Sequence, residues 1–104
     1  MDESEFEAAA DAALEAIERA LESLDLDFEL KGGGVLEIEF DDGAKIIVNR
    51  HGAAREIWVA ARTGGFHFRW DGTAWRDTRT GAELFGALSE LVSGQLGRGV
   101  RLVG

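Results

Sequence analysis

The sequence contains no cysteine, so it can build neither a disulfide nor a thiolate metal centre, and nothing in it points to an oxidising compartment. Its apolar runs last only a few residues, far short of the roughly 20 needed to span a bilayer. Basic residues are missing at the start: Met1-Asp2-Glu3 is acidic where a secretory or transit peptide would be basic, which predicts a chain that works where it is made, in the cytoplasm. Histidine is limited to His51 and His67, with neither an HExxH nor an HxxxH pair, so no zinc centre is expected. Without cysteine, and with no Ser or Asp companion motif near either histidine, nucleophilic catalysis has no support and each histidine reads as an ordinary surface or strand residue.

What is present suffices for one domain, expected to span residues 1–104. A hydrophobic content of 45% excludes a disordered acidic tail, because such tails lack the apolar surface that offsets chain entropy. A chain of this size buries roughly 60–70% of its unfolded surface and needs no covalent staples. The net charge of -9 is unevenly spread. Residues 1–42 hold 15 acids and two bases, a net of -13, whereas residues 43–104 hold five acids and nine bases, a net of +4. The acidic half repels nucleic acid and attracts cations or a basic protein surface.

From Ser4, the candidate cap, the chain reads as a long helix rich in Ala, Leu and Glu. Phe6, Ala10, Ala13, Ile17, Ala20, Leu21 and Leu24 share its core face. Glu3, Glu7, Asp11, Glu15, Glu18 and Glu22 fall within an arc of roughly 120° beside that face. Period-two alternation then predicts strands over 26–30 and 35–40, followed by 45–49, 56–61, 65–70 and 73–77, with Asp42-Gly43 and Asp71-Gly72 as tight turns. Thr80-Gly81-Ala82-Glu83 has the form of a capping box ahead of a second helix over about 81–95, ended by Gly97 and Gly99, with Val100 to Val103 as a tail against the core. The expected class is α+β: two helices on one face of an antiparallel sheet of five to six strands.

Gly32-Gly33-Gly34 has no helix after it to supply the dipole of a phosphate cradle, and reads as a turn. Asp25-Leu26-Asp27-Phe28-Glu29 resembles the start of a calcium loop, but Leu30 stands where Gly is required and Leu36 where Glu is. The acidic stripe has two readings. A solvated helix face is the common one, but such faces mix signs. Here only Arg19 interrupts, and like charges at i, i+4 cost roughly 0.2–0.5 kcal/mol each. Asp25, Asp27 and Glu29 extend the stripe into an oxygen-only ridge suited to hard cations, bound weakly, or to a basic partner. The aromatics pose a similar choice. Trp70 and Trp75 flank the Asp71-Gly72 turn and close the core edge. Burying Ile57 and Val59 turns Trp58 onto the open sheet face near Asn49, as an interface anchor, while the opposite phase makes Trp58 a core residue.

Taken in order, Ser4-Glu5-Phe6, Gly34-Val35-Leu36, Asp42-Gly43 with Lys45-Ile46-Ile47-Val48-Asn49-Arg50, Ile57-Trp58-Val59-Ala60, Gly64-Gly65-Phe66-His67-Phe68 and Trp75 before the last helix resemble the bacterial frataxin (CyaY) family over nearly the whole chain. The resemblance implies a two-layer α-β sandwich. It also implies a non-enzymatic iron binder of iron-sulfur cluster assembly that docks on the cysteine desulfurase and scaffold proteins. Iron, as Fe2+ or Fe3+ and replaceable by other divalent or trivalent cations, is then held weakly by Glu18, Glu22, Asp25 and Asp27, with Asp11, Glu15 and Glu29 nearby. Partner contacts fall on Trp58, Asn49, Glu18 and Glu22, in a monomer able to form metal-dependent oligomers. Arg19 and Ser23 stand where relatives often carry acids, and His51-Gly52 where they commonly carry Gln and Pro. The competing class is an acidic protein-protein interaction module with no metal role. Intrinsic ferroxidase activity lacks a preorganised dinuclear carboxylate and histidine set.

Overall fold

The computed structural model describes residues 1–104 as helix α1 (Glu3–Ser23), strands β1 (Phe28–Lys31), β2 (Val35–Glu39), β3 (Lys45–His51), β4 (Glu56–Ala61), β5 (Gly64–Trp70) and β6 (Trp75–Asp77), and helix α2 (Leu84–Leu96). The six strands pair antiparallel in chain order, each joined to the next by a short turn. Alternate residues of the central strands point inward in register: Leu36 opposite Val48, Val48 opposite Val59, Ile57 opposite Phe68. Together with Phe6, Ile17 and Leu21 of α1 and Leu84, Leu88 and Val92 of α2 they form one buried cluster, so both helices lie on the same face. Each such fully buried aliphatic or aromatic side chain contributes about 1.5–3 kcal/mol. The other face of the sheet is open, which makes this the expected two-layer sandwich.

Among the strands, β3 runs on to His51 instead of ending at 49 and β6 starts at Trp75 instead of 73, and three further boundaries differ from expectation for reasons the hydrogen bonds show. Asp2, not Ser4, caps α1: its carboxylate accepts the Glu5 N–H at 2.8 Å while the Glu5 carboxylate accepts the Asp2 N–H at 3.0 Å. Ser4-Glu5-Phe6-Glu7 has the same form, but starting at Asp2 adds helical bonds such as Phe6 N–H to the Asp2 carbonyl at 2.9 Å. The first strand begins at Phe28 because Leu26 still belongs to the helix end. Leu26 N–H bonds the Leu21 carbonyl at 3.0 Å and Asp25 N–H the Glu22 carbonyl at 3.1 Å, with Asp25 left-handed at φ 56°. This is a Schellman closure with Asp in the place usually held by Gly. Helix α2 starts at Leu84, with Glu83 as its cap accepting the Phe85 and Gly86 N–H groups. Thr80 stays outside, because the Asp77 carboxylate holds the N–H groups of Arg79 and Thr80 in a turn.

Gly97 ends α2 in the left-handed region, and the tail closes on the core as expected: Leu102 is buried, and the Ser89 and Ser93 hydroxyls accept the Leu102 and Val100 N–H groups at 2.8 and 2.9 Å. No helix is long and apolar enough to cross a membrane.

Candidate functional site

The seven carboxylates predicted as a cation ridge divide among three places. Asp11, Glu15 and Glu18 on α1 line a shallow groove with Lys31 and Val35 at the sheet edge, and Glu22 is exposed further along the helix. Asp11 is engaged by Arg50, which reaches across from β3, so Arg19 is not the only base beside the stripe. Asp25 and Asp27 line a polar cleft with Glu39, Asp41, Asp42, Gln95 and Arg98. Asp42 is held as an anion there: the Ala44 N–H, the charge of Arg62 and the Gln95 amide lower its pKa. Glu29 lies on the open sheet face opposite Glu37, and Glu29, Glu37 and Glu39 bring carboxylate oxygens within 4.8 Å of one another. Of the seven, then, only Glu29 is in the tightest carboxylate group.

Glu37 and Glu39 escaped the sequence reading because alternation places them on the polar face without saying which residue of β1 they meet. Register decides that. The three carboxylates offer oxygen donors only, exposed or half-buried, a set that fits a hard cation held loosely. Lys45 already competes for the place: its ammonium lies 3.2 Å from Glu37, which raises the lysine pKa.

The second surface lies on the open face, where β3, β4 and β5 meet. Val59 and Ile57 are buried, so Trp58 points outward, and it pairs with Asn49 across the strands. The indole is sandwiched. His51 stacks on one side with ring centres 3.7 Å apart at 11°, and His67 on the other at 4.5 Å and 9°. Beneath them Glu56, only 6% exposed, accepts the Trp58 Nε1–H at 2.9 Å and an Arg69 guanidinium N–H at 2.6 Å, with His67 Nδ1 3.6 Å away. These bonds to the charged form, the indole N–H first, lower the Glu56 pKa despite its burial. The histidines are strand residues, as expected, but their clasp on Trp58 was not foreseen. The signal available was that Trp58, His67 and Asn49 belong to outward positions of neighbouring strands. Trp70 and Trp75 close the core edge at their turn, as the sequence implied, and there meet edge to face at 5.5 Å.

The model of the frataxin-like domain family matches residues 1–98. The chain is 64% identical over 104 residues to a Dechloromonas aromatica protein named "Iron-sulfur cluster assembly protein CyaY", covering 98% of this chain and 99% of that one. A Janthinobacterium protein of the same name is 57% identical, covering 93% and 92%. Among solved structures, frataxin from Psychromonas ingrahamii superposes with a TM-score of 0.90 at 30% identity over the whole of both chains. Trimeric frataxin from Saccharomyces cerevisiae, in its ferrous complex, reaches 0.74 at 26% identity over 86% of each chain.

Proposed function

The chain belongs to the frataxin-like family, and from that premise we propose that it is an iron-binding accessory protein of iron-sulfur cluster assembly. Iron is its cargo, held weakly at the acidic surface that runs from α1 through β1 and β2. The observation that carries this reading is the convergence of Glu29, Glu37 and Glu39, the last of which also lines the cleft of Asp25 and Asp27. Oxygen donors on an open surface leave a hard cation most of its water, so binding is weak and exchange fast. The same surface, at a net of -13 over residues 1–42, attracts a basic patch of the cysteine desulfurase, while Trp58 and Asn49 meet the scaffold assembly. A bound cation cancels part of the surface charge, so iron tunes docking and thereby the rate of the machinery. On this reading the protein is not itself an enzyme, acts in the cytoplasm, and is a monomer that forms oligomers with metal. The trimeric ferrous complex of the yeast relative supports the last point.

A second reading, an acidic interaction module without a metal role, is favoured by the ion pairs that already engage Asp11, Glu29 and Glu37. Titration of the full chain with Fe2+ or a diamagnetic surrogate, followed by NMR, separates the two. Shifts confined to residues 7–39, and loss of affinity in Glu18→Ala, Glu22→Ala and Asp27→Ala, uphold the cargo reading. Unchanged affinity in all three overturns the ridge assignment.

A further inference from the structure

The Trp58 sandwich sits in a part of the open face that carries no formal charge of its own. Val35, Asn49, Trp58 and His67 succeed one another across β2 to β5, flanked by Ile47 and Ala60. Of the three arginines beside this lane, two are paired with acids. Arg69 is bonded to Glu56 and Arg76 to Asp71, while Arg79 ends on the Gly65 carbonyl at 3.0 Å. With neutral imidazoles the lane is therefore an uncharged strip between an acidic corner, at β1 and β2, and a corner of arginines.

We propose that His67 is a proton-operated switch of this docking face: neutral, it completes an uncharged lane fitted to an apolar partner surface, and protonated, it weakens that docking. The inference rests on the reading of Trp58 as a partner anchor and adds its regulation.

The two imidazoles are wired differently. His51 Nδ1 accepts the Ala54 N–H at 3.3 Å, so a proton at that atom breaks a bond that ties down the β3–β4 turn. His67 is half exposed and its Nδ1 faces the Glu56 carboxylate at 3.6 Å, with no N–H donor to lose. A proton on His67 Nδ1 stands beside that carboxylate and against the indole face. The groups facing His67 are Glu56 and Trp58 on β4, His51 beyond the indole on β3, Arg69 on its own strand, and Arg76 with Arg79 on the β6 side. Because Glu56 is already bonded to Trp58 and Arg69, it neutralises the new charge only in part. An apolar partner that covers an imidazolium strips its water without replacing it. The complex therefore selects neutral His67, and affinity falls as pH drops through the imidazole range.

The test uses the full chain in two arms. In the free protein, NMR should show the Trp58 indole N–H shifting with the same midpoint as the His67 ring. In the second arm, affinity for a purified desulfurase–scaffold complex is measured from pH 8 to pH 6. The wild type should weaken about threefold to tenfold. The pH dependence should disappear in His67→Gln, whatever that variant's affinity at pH 8, and should persist in His51→Gln. An indole that ignores the His67 titration, or a His67→Gln variant that weakens with acid as the wild type does, overturns the switch. Trp58→Ala binding as tightly as wild type overturns the docking reading and the switch with it. Weakened Trp58→Ala beside a flat wild-type profile overturns the switch alone.

Discussion

Arg50 reaches from the core side of β3 to the carboxylate of Asp11 on α1, and its stem lies directly against Gly34. That contact joins a helix, a turn and a strand, and gives one predicted metal ligand a structural occupation as well.

Gly34 is left-handed at φ 80°, and a Cβ placed on it would come within 3.0 Å of Arg50 Cβ and 2.9 Å of its Nε. Gly34→Ala should therefore destabilise the fold by about 1–3 kcal/mol in urea denaturation, through backbone strain and displacement of Arg50. Gly32→Ala, where nothing lies within 4 Å, should change stability far less.

Lys45 holds Glu37 in the convergent carboxylate group. Lys45→Met should tighten binding of Fe2+ or a surrogate about threefold to tenfold in calorimetric titration, since one competing positive charge is removed. The change should cost little stability, as expected for an exposed pair. Glu37→Gln should weaken metal binding.

Trp58→Ala should weaken binding to the assembly proteins about tenfold or more, as truncation of an interface tryptophan does. Its circular dichroism should stay close to wild type, because the indole lies on the open face and not in the buried cluster, while loss of the Nε1–H bond to buried Glu56 should lower the thermal transition modestly. Asn49→Ala, opposite it, should give a smaller effect of the same sign.

Acid sensitivity should trace in part to Asp71, whose carboxylate accepts the Thr73 and Ala74 N–H groups and is held down to about 2 from an ordinary 3.8. A carboxyl depressed in the folded state contributes stability that is fully present above its unfolded pKa and is lost as pH falls through the folded one. Its contribution should thus fade between 3.8 and about 2. Glu56, lowered by its bonds to Trp58 and Arg69, should act in the same direction below its ordinary value. Asp71→Asn should flatten this acid limb in pH-dependent denaturation.

The open-face position of Trp58 was legible because alternation with two aliphatic neighbours has only two phases, and burying Ile57 and Val59 selects one. Its neighbourhood was not legible. His51 and Glu56 lie five residues apart in the chain and His67 sixteen from His51, and only strand register brings them to one indole. The helix faces were readable for a similar reason: Phe6, Ala10, Ala13, Ile17, Ala20 and Leu21 recur at the helical period and all are buried. Asp25, by contrast, looked like a ligand and also serves as the left-handed closure of α1, a role set by hydrogen bonds to carbonyls that no spacing reveals.

By itself the sequence determined the class, the helix–strands–helix order and the concentration of negative charge in the first 42 residues, because composition and periodicity are local properties of the chain. Only the tertiary structure decided which carboxylates converge. Pairing of β1 with β2 put Glu29 beside Glu37 and Glu39, and Arg50 crossed to α1 to engage Asp11. Side chains from different elements meet by register and packing, and these depend on the whole sheet at once.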